Sequence, residues 1–227
     1  LLSEYEYQRK LGKKAINLDE GDELVFVMRT EGTSNIVLAT RDGMATRFDE
    51  RNVRKMGRVA RGVRGIKLRE GDYVVGVAVV DESKKLLTIT ENGFGKRCEF
   101  SELREMKNRG GYGVRIHKLS EKTGQLTGVA VVDEDSDIML ITDQGQMIRV
   151  HASDVSVYSR TAGGVIIMRL SDSQHVVNLT KVAKDEPEDE VAPASESLEA
   201  EELEVTEAIE EAEEIAQEAE ELENTEE

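Results

Sequence analysis

A single cysteine, Cys98, stands in the 227-residue chain, which excludes an internal disulfide framework and makes a reduced intracellular compartment the natural setting. Tryptophan is absent and aromatic residues reach only 4%, so any core must be built from Val, Ile, Leu and Met. No apolar run approaches the roughly 20 residues that a spanning helix needs, and no signal-peptide pattern opens the chain, so no membrane partner is expected. Only two prolines occur, Pro187 and Pro193, and both fall where Lys and Arg have stopped. That last absence divides the chain. Residues 1–184 hold all 30 Lys and Arg against 26 of the 47 Asp and Glu, a net charge of +4. Residues 185–227 hold the other 21 acids and no base, so the overall charge of −17 is set by the tail.

What is present is one pattern stated three times. Asx/Gln-Gly pairs sit at Asp42-Gly43, Asn92-Gly93 and Gln144-Gly145. Seven positions before each glycine is an apolar residue (Ile36, Leu86, Ile138), three before it a threonine (Thr40, Thr90, Thr142), and four after it an arginine (Arg47, Arg97, Arg149). Further on come Arg58, Arg109 and Arg160, each with a glycine four residues later (Gly62, Gly113, Gly164). Six beyond that glycine is a leucine (Leu68, Leu119, Leu170), always preceded by a base (Lys67, Lys118, Arg169). A period of about fifty residues marks a supersecondary unit that packs against copies of itself.

Each unit reads as about four short strands rich in β-branched residues. In the middle unit these are Val74–Val80, Leu86–Thr90 and Phe94–Cys98, and in the next Gly128–Val132, Ile138–Thr142 and Gln146–Val150. The first unit has Val25–Met28, Ile36–Thr40 and Met44–Phe48. A fourth strand is predicted after Gly62, Gly113 and Gly164, which read as structural glycines at a bend or a close approach, and Gln174–Val182 reads as the opening strand of a further unit. The Gly turns supply the positive φ that tight hairpins require. The predicted fold is all-β, with four-stranded blades set radially in a propeller-like wheel. A stacked solenoid is the alternative, and its usual period is far shorter. The units fall at about 1–20, 21–70, 71–122, 123–172 and 173–184, within one domain of residues 1–184. Residues 185–227 form an acidic tail whose composition predicts disorder, although Val205, Ile209, Ala212, Ile215, Ala219 and Leu222 fall at helical spacing and leave a partner-induced helix open. Leu1 stands where a repeat is already under way, so a longer polypeptide is expected.

Strand alternation assigns directions to the repeated bases. Apolar Phe48, Cys98 and Val150 point to the core, so their neighbours Arg47, Arg97 and Arg149 are expected to face outward. The same reasoning turns Lys67, Lys118 and Arg169 outward beside inward leucines. Loops add Arg54, Lys55, Arg58 and Arg61, then Lys107 and Arg109, with Lys96 and Arg160 completing the set. A curved track of positive charge suits a bent duplex, because Arg and Lys neutralise phosphates and release counterions without reading sequence. Outward bases also serve solubility and block edge pairing, so a propeller-type protein-interaction scaffold stays open.

Other chemistries fail on spacing. Gly57–Gly62 has the glycine spacing of a P-loop, but Val63-Arg64 replaces its Lys-Ser/Thr. Asp133–Asp137 starts like a calcium loop, then puts Ile138 where glycine is required. His117, His151 and His175 are scattered with no cysteine cluster, so no metal site is expected. Cys98 reads as a small core residue. No nucleophile–base pairing appears, and no catalytic residue is assigned.

Three segments carry a resemblance: Met56–Leu68 (MGRVARGVRGIKL), Thr88–Arg97 (TITENGFGKR) and Ile138–Gly145 (IMLITDQG). They closely resemble the C-terminal domain of bacterial DNA gyrase A, and the likeness covers residues 1–182 almost throughout. The resemblance implies a β-pinwheel, a six-bladed disc whose blades exchange strands, of which about three and a half blades are here. It implies that duplex DNA wraps the basic rim, supporting ATP-dependent negative supercoiling. The implied partners are double-stranded DNA, the N-terminal domain of gyrase A, and gyrase B in an A2B2 holoenzyme, in a bacterial cytoplasm and associated with the chromosome. No cofactor is implied for this chain, since ATP and Mg are used elsewhere in the holoenzyme. The acidic tail is similar to those that modulate wrapping in some gyrases. The family's Gln-Arg-Arg-Gly-Gly-Lys-Gly-type box belongs to a first blade and is not in this sequence, and no tyrosine here (Tyr5, Tyr7, Tyr73, Tyr112, Tyr158) matches the catalytic one. The corresponding polypeptide of topoisomerase IV, whose equivalent domain lacks the box, is the alternative within the family.

Overall fold

Runs such as Val74–Val79 (VVGVAV) and Lys85–Thr90 (KLLTIT) are short, apolar and β-branched, which favours an extended, pleated backbone over a helix. The computed structural model describes residues 14–57, 59–171 and 173–182 and is all-β over them. The acidic segment 185–227 lies outside the described residues. In chain order the strands are β1 Asn35–Thr40, β2 Met44–Asp49, β3 Val74–Val79, β4 Lys85–Thr90, β5 Phe94–Glu99, β6 Val114–Arg115, β7 Leu126–Val132, β8 Asp137–Thr142, β9 Met147–His151, β10 Val165–Ile166 and β11 Val176–Val182. Single 3-10 turns follow β2, β5 and β9 at Glu50–Asn52, Phe100–Glu102 and Ala152–Asp154.

Three hairpins, β1/β2, β4/β5 and β8/β9, carry the three repeats. Each closes at its predicted glycine. The N–H groups of Gly43, Gly93 and Gly145 donate to Thr40, Thr90 and Thr142 carbonyls at 2.9, 3.0 and 3.0 Å, with φ of 71°, 76° and 78°. The register sets Ile36 opposite Phe48, Leu86 opposite Cys98 and Ile138 opposite Val150.

The sheets are built across repeats. Their strand orders are β3-β1-β2-β6, β7-β4-β5-β10 and β11-β8-β9. Each hairpin is flanked by the long opening strand of the following repeat, and the first two also take its two-residue fourth strand on the other side. Two sheets of four antiparallel strands and one of three therefore form among the described residues, but a unit's own four strands do not make one sheet. This corrects two expectations. Leu24–Met28 is exposed and forms no strand, and no strand follows Gly62. Both segments would pair with the hairpin of a preceding repeat, and none is among the described residues. The opening strand predicted at 174–182 does form, as β11 on β8.

Two buried clusters sit between the sheets. One joins Val37 and Ala45 to Leu86, Phe100, Leu103 and Ile116; the other joins Leu87 and Ile89 to Ile138, Leu140, Val155 and Met168. Each mixes side chains from successive repeats, and burial contributes about 1.5–3 kcal/mol per large side chain. The long flanking strands β3, β7 and β11 pack against one another in series. They do so closely: a Cβ on Gly76 would lie 2.5 Å from Val129, and one on Gly128 2.5 Å from Leu179. This makes β3, β7 and β11 the inner strands and puts β6, β10 and the segments after them on the outer edge.

Candidate nucleic-acid interface

The strictest repeated base is not on the outside. Arg47 has a side chain only 12% exposed, and Arg97 only 5%. Arg47 Nη1 donates to the Phe100 carbonyl at 3.0 Å and Nη2 meets Glu82 at 2.5 Å. Arg97 repeats the geometry one unit on: Nε donates to the Val155 carbonyl at 2.6 Å and Nη1 meets Glu134 Oε2 at 2.7 Å. The outward expectation for these two is corrected. Phe48 and Cys98 are buried, so the alternation itself holds, but the opposite face of each hairpin is covered by the next repeat's 3-10 turn. A guanidinium fork bridging carbonyls and a carboxylate fastens one repeat to the next. Arg149 is exposed, with Nε donating to Asp137 at 2.7 Å, because no following repeat covers that face of β9 among the described residues.

Lys96 is also inside. It is fully buried and donates to the Ser159 carbonyl at 2.6 Å, and burial pushes its ammonium down to about 8. Burial likewise pushes the Cys98 thiol up to about 11 and holds the imidazole of buried His117, with Lys96 nearby, down to about 4. His117 is tied at both nitrogens, to the Thr88 hydroxyl at 2.9 Å and the Gly163 carbonyl at 3.0 Å, which suits the neutral ring with Nε2 donating. Lys96 is thus removed from any solvent-facing site. Arg109 and Arg160 are half-buried staples: Arg109 donates to the Asn52 and Arg64 carbonyls at 3.1 and 2.7 Å, and Arg160 to the Arg115 carbonyl at 2.7 Å.

The other candidates face solvent. Arg54, Lys55, Lys67, Lys107, Lys118 and Arg169 are exposed; Arg61 is too, paired with Asp19 at 2.8 Å. Arg58 lies outside the described residues. Lys67 and Lys118 hold one place in successive repeats, their N–H groups donating to the Gly111 and Ala162 carbonyls at 2.8 and 3.1 Å. That place follows the short outer strand. Sequence reasoning passed over Arg64, Arg69, Arg104 and Arg115, all exposed, with Arg115 on β6 itself and Arg64 held at the matching place by Arg109. A signal existed, since Arg64 and Arg115 each stand three residues before Lys67 and Lys118. Exposed Tyr112 joins this edge with Lys67 Nζ 4.7 Å and the Arg69 guanidinium 5.8 Å from its ring centre. Among the described residues no three His, Cys, Asp or Glu side chains converge as a metal site requires. No described helix is long and apolar enough to cross a membrane.

The family described as DNA gyrase C-terminal domain, beta-propeller, matches residues 1–31, 34–81, 84–133 and 136–183. The chain belongs to this family. Each gyrase-domain match from residue 34 onward opens at a hairpin and closes after the inner strand that pairs with it, so a match segment carries the inner three strands of one sheet. DNA gyrase A of Aminobacterium colombiense is 42% identical over 83% of this chain and 23% of the relative. DNA gyrase A of Salmonella typhimurium is 40% identical over 84% of the chain and 22% of the relative. The chain therefore spans less than a quarter of these relatives' length. Among solved structures, a DNA gyrase A C-terminal domain superposes with a TM-score of 0.67 at 32% identity, covering 77% of this chain and 59% of that one. A DNA topoisomerase IV C-terminal domain gives 0.75 at 28% identity, covering 80% and 57%.

Proposed function

We propose that this chain binds duplex DNA without reading its sequence and bends it around the outer edge of its sheets, as the DNA-wrapping part of a gyrase A polypeptide. In that role it supports ATP-dependent negative supercoiling without supplying a catalytic residue, metal or cofactor of its own; ATP and Mg act elsewhere in an A2B2 holoenzyme with gyrase B. Such a holoenzyme works in the cytoplasm on the chromosome. The observation that carries the reading is the recurrence of exposed bases at one place per repeat on the outer edge, Lys67, Lys118 and Arg169. Bending a duplex costs on the order of 1–6 kcal/mol per 20–30 base pairs, so contacts must be distributed, and one exposed base per successive repeat supports that reading. The test is duplex affinity of the full chain against salt. Log affinity should fall with log salt by about 0.9 per neutralised phosphate, and a flat response overturns the reading.

The higher TM-score to the topoisomerase IV domain favours a second reading, the equivalent domain of that enzyme, in which the same edge discriminates DNA geometry. Identities near 40% to gyrase A polypeptides favour the first. The acidic segment 185–227 is proposed to compete with phosphate for the edge, since a tether raises its local concentration.

A further inference from the structure

The outer edge is not uniform along the chain. Four of its positions can be matched between repeats, three by hydrogen bonding and the fourth by its place before the repeated leucine. The N–H groups of Val53, Leu103 and Val155 close the 3-10 turns at 2.8, 2.9 and 3.0 Å, so the next two residues in each repeat correspond. Arg115 pairs with Met44 across β6 and β2, and Ile166 with Phe94 across β10 and β5, so those two correspond. Arg64 matches them through the staples, since Arg109 donates to the Arg64 carbonyl as Arg160 does to that of Arg115. The fourth position is Lys67, Lys118 and Arg169.

The first repeat fills these places with Arg54, Lys55, Arg64 and Lys67, a net charge of +4. The second has Arg104, Glu105, Arg115 and Lys118, a net +2, and the third Ser156, Val157, Ile166 and Arg169, a net +1. The third-repeat side chains are not withdrawn: Val157 is 42% exposed and Ile166 52%. Apolar Ile166 therefore faces solvent where the first two repeats present Arg64 and Arg115, and apolar Val157 where they present Lys55 and Glu105. In the first and second repeats staples tie these places together: the Arg109 guanidinium spans the Asn52 and Arg64 carbonyls, and Arg160 joins Glu102, through its backbone N–H, to the Arg115 carbonyl, through its guanidinium.

We infer that the DNA track is graded: the duplex is gripped on the first and second repeats and leaves the edge at the third. A stiff duplex stays bent only where contacts offset the bending cost, and it straightens where they thin out. The grading rests on the DNA-binding reading and adds a direction to it.

The test changes one equivalent position per repeat in the full chain and follows binding of a short mixed-sequence duplex. K67E is expected to weaken affinity about tenfold and lower the salt slope by about one. K118E should do nearly the same, and R169E should weaken affinity less than about twofold. In the opposite direction V157K/I166R, at two exposed positions, should tighten binding several-fold and extend the protected DNA. Equal losses for K67E and R169E, or no gain from V157K/I166R, overturn the grading while leaving DNA binding standing. No loss in any of the three overturns DNA binding on this edge altogether.

Discussion

Replacing Arg97 tests the distinction between a base that holds the fold and a base that meets a ligand. Its side chain is 5% exposed and donates to the Val155 carbonyl, with Glu134 on the outer side. In R97A two methylenes and the guanidinium leave a packed site, and the methylenes alone cost about 1.6 kcal/mol at roughly 0.8 kcal/mol each. The Val155 carbonyl loses a charged donor, which adds roughly 1–3 kcal/mol. Glu134 faces water and recovers its hydration, so it adds nothing to the account. The expected cost is about 4 kcal/mol, and at about 2–4 °C per kcal/mol for a domain of this size the melting temperature should fall by roughly 8–16 °C. R97K keeps the charge but loses the fork, and should recover only part of this. R149A, at the equivalent but exposed position, should cost under about 1 kcal/mol. The assay is thermal and urea unfolding, with duplex affinity measured below the transition. The reasoning is refuted if R97A melts within about 2 °C of the parent while its salt slope drops by about one, because Arg97 would then be a phosphate contact and not a fastening.

Ser173 takes φ of 70°, closing a turn whose equivalents hold Gly21 at 84° and Gly71 at 75°, so S173G should stabilise the chain by about 1 kcal/mol in urea unfolding; a loss of stability would mean that its side chain contributes more than the strained backbone costs. Burial holds His117 neutral with its pKa near 4, below the ordinary histidine value of 6.5. The unfolded chain then binds the extra proton first, so stability should fall as pH drops from about 6.5 toward 4, by up to roughly 3 kcal/mol from this group. Thermal melts across that window should show H117Q with a flatter pH profile than the parent, and identical profiles would refute the assignment.

Much of the fold was legible because hairpins are written locally. The residues Asp42-Gly43 and Asn92-Gly93 fix the turn, and alternation from Ile36 or Leu86 fixes the face. Strand exchange was not legible in the spacing. A fifty-residue period looks the same whether Val74–Val79 pairs with its own hairpin or the preceding one, and only the family resemblance implied exchange. The missing strand at Val25–Met28 has the same origin, since a strand sequence needs a partner hairpin that lies in another repeat.

The site was half legible, and the reason bears on repeat proteins generally. Arg47 and Arg97 recur because every repeat packs on a successor of the same shape, and a side chain that fastens copies together must recur with the copies. Arg109 and Arg160 recur for the same reason. Strict periodicity is therefore first a mark of the interface between repeats. The open edge carries no such constraint, and there Arg64 and Arg115 give way to Ile166 without disturbing the sheet. Lys67, Lys118 and Arg169 are the informative exception, basic in every repeat yet exposed. Among the described residues neither Lys118 nor Arg169 is ion-paired to a carboxylate. No ion pair accounts for that recurrence, and the proposed duplex along the edge would, since each such base can neutralise a phosphate.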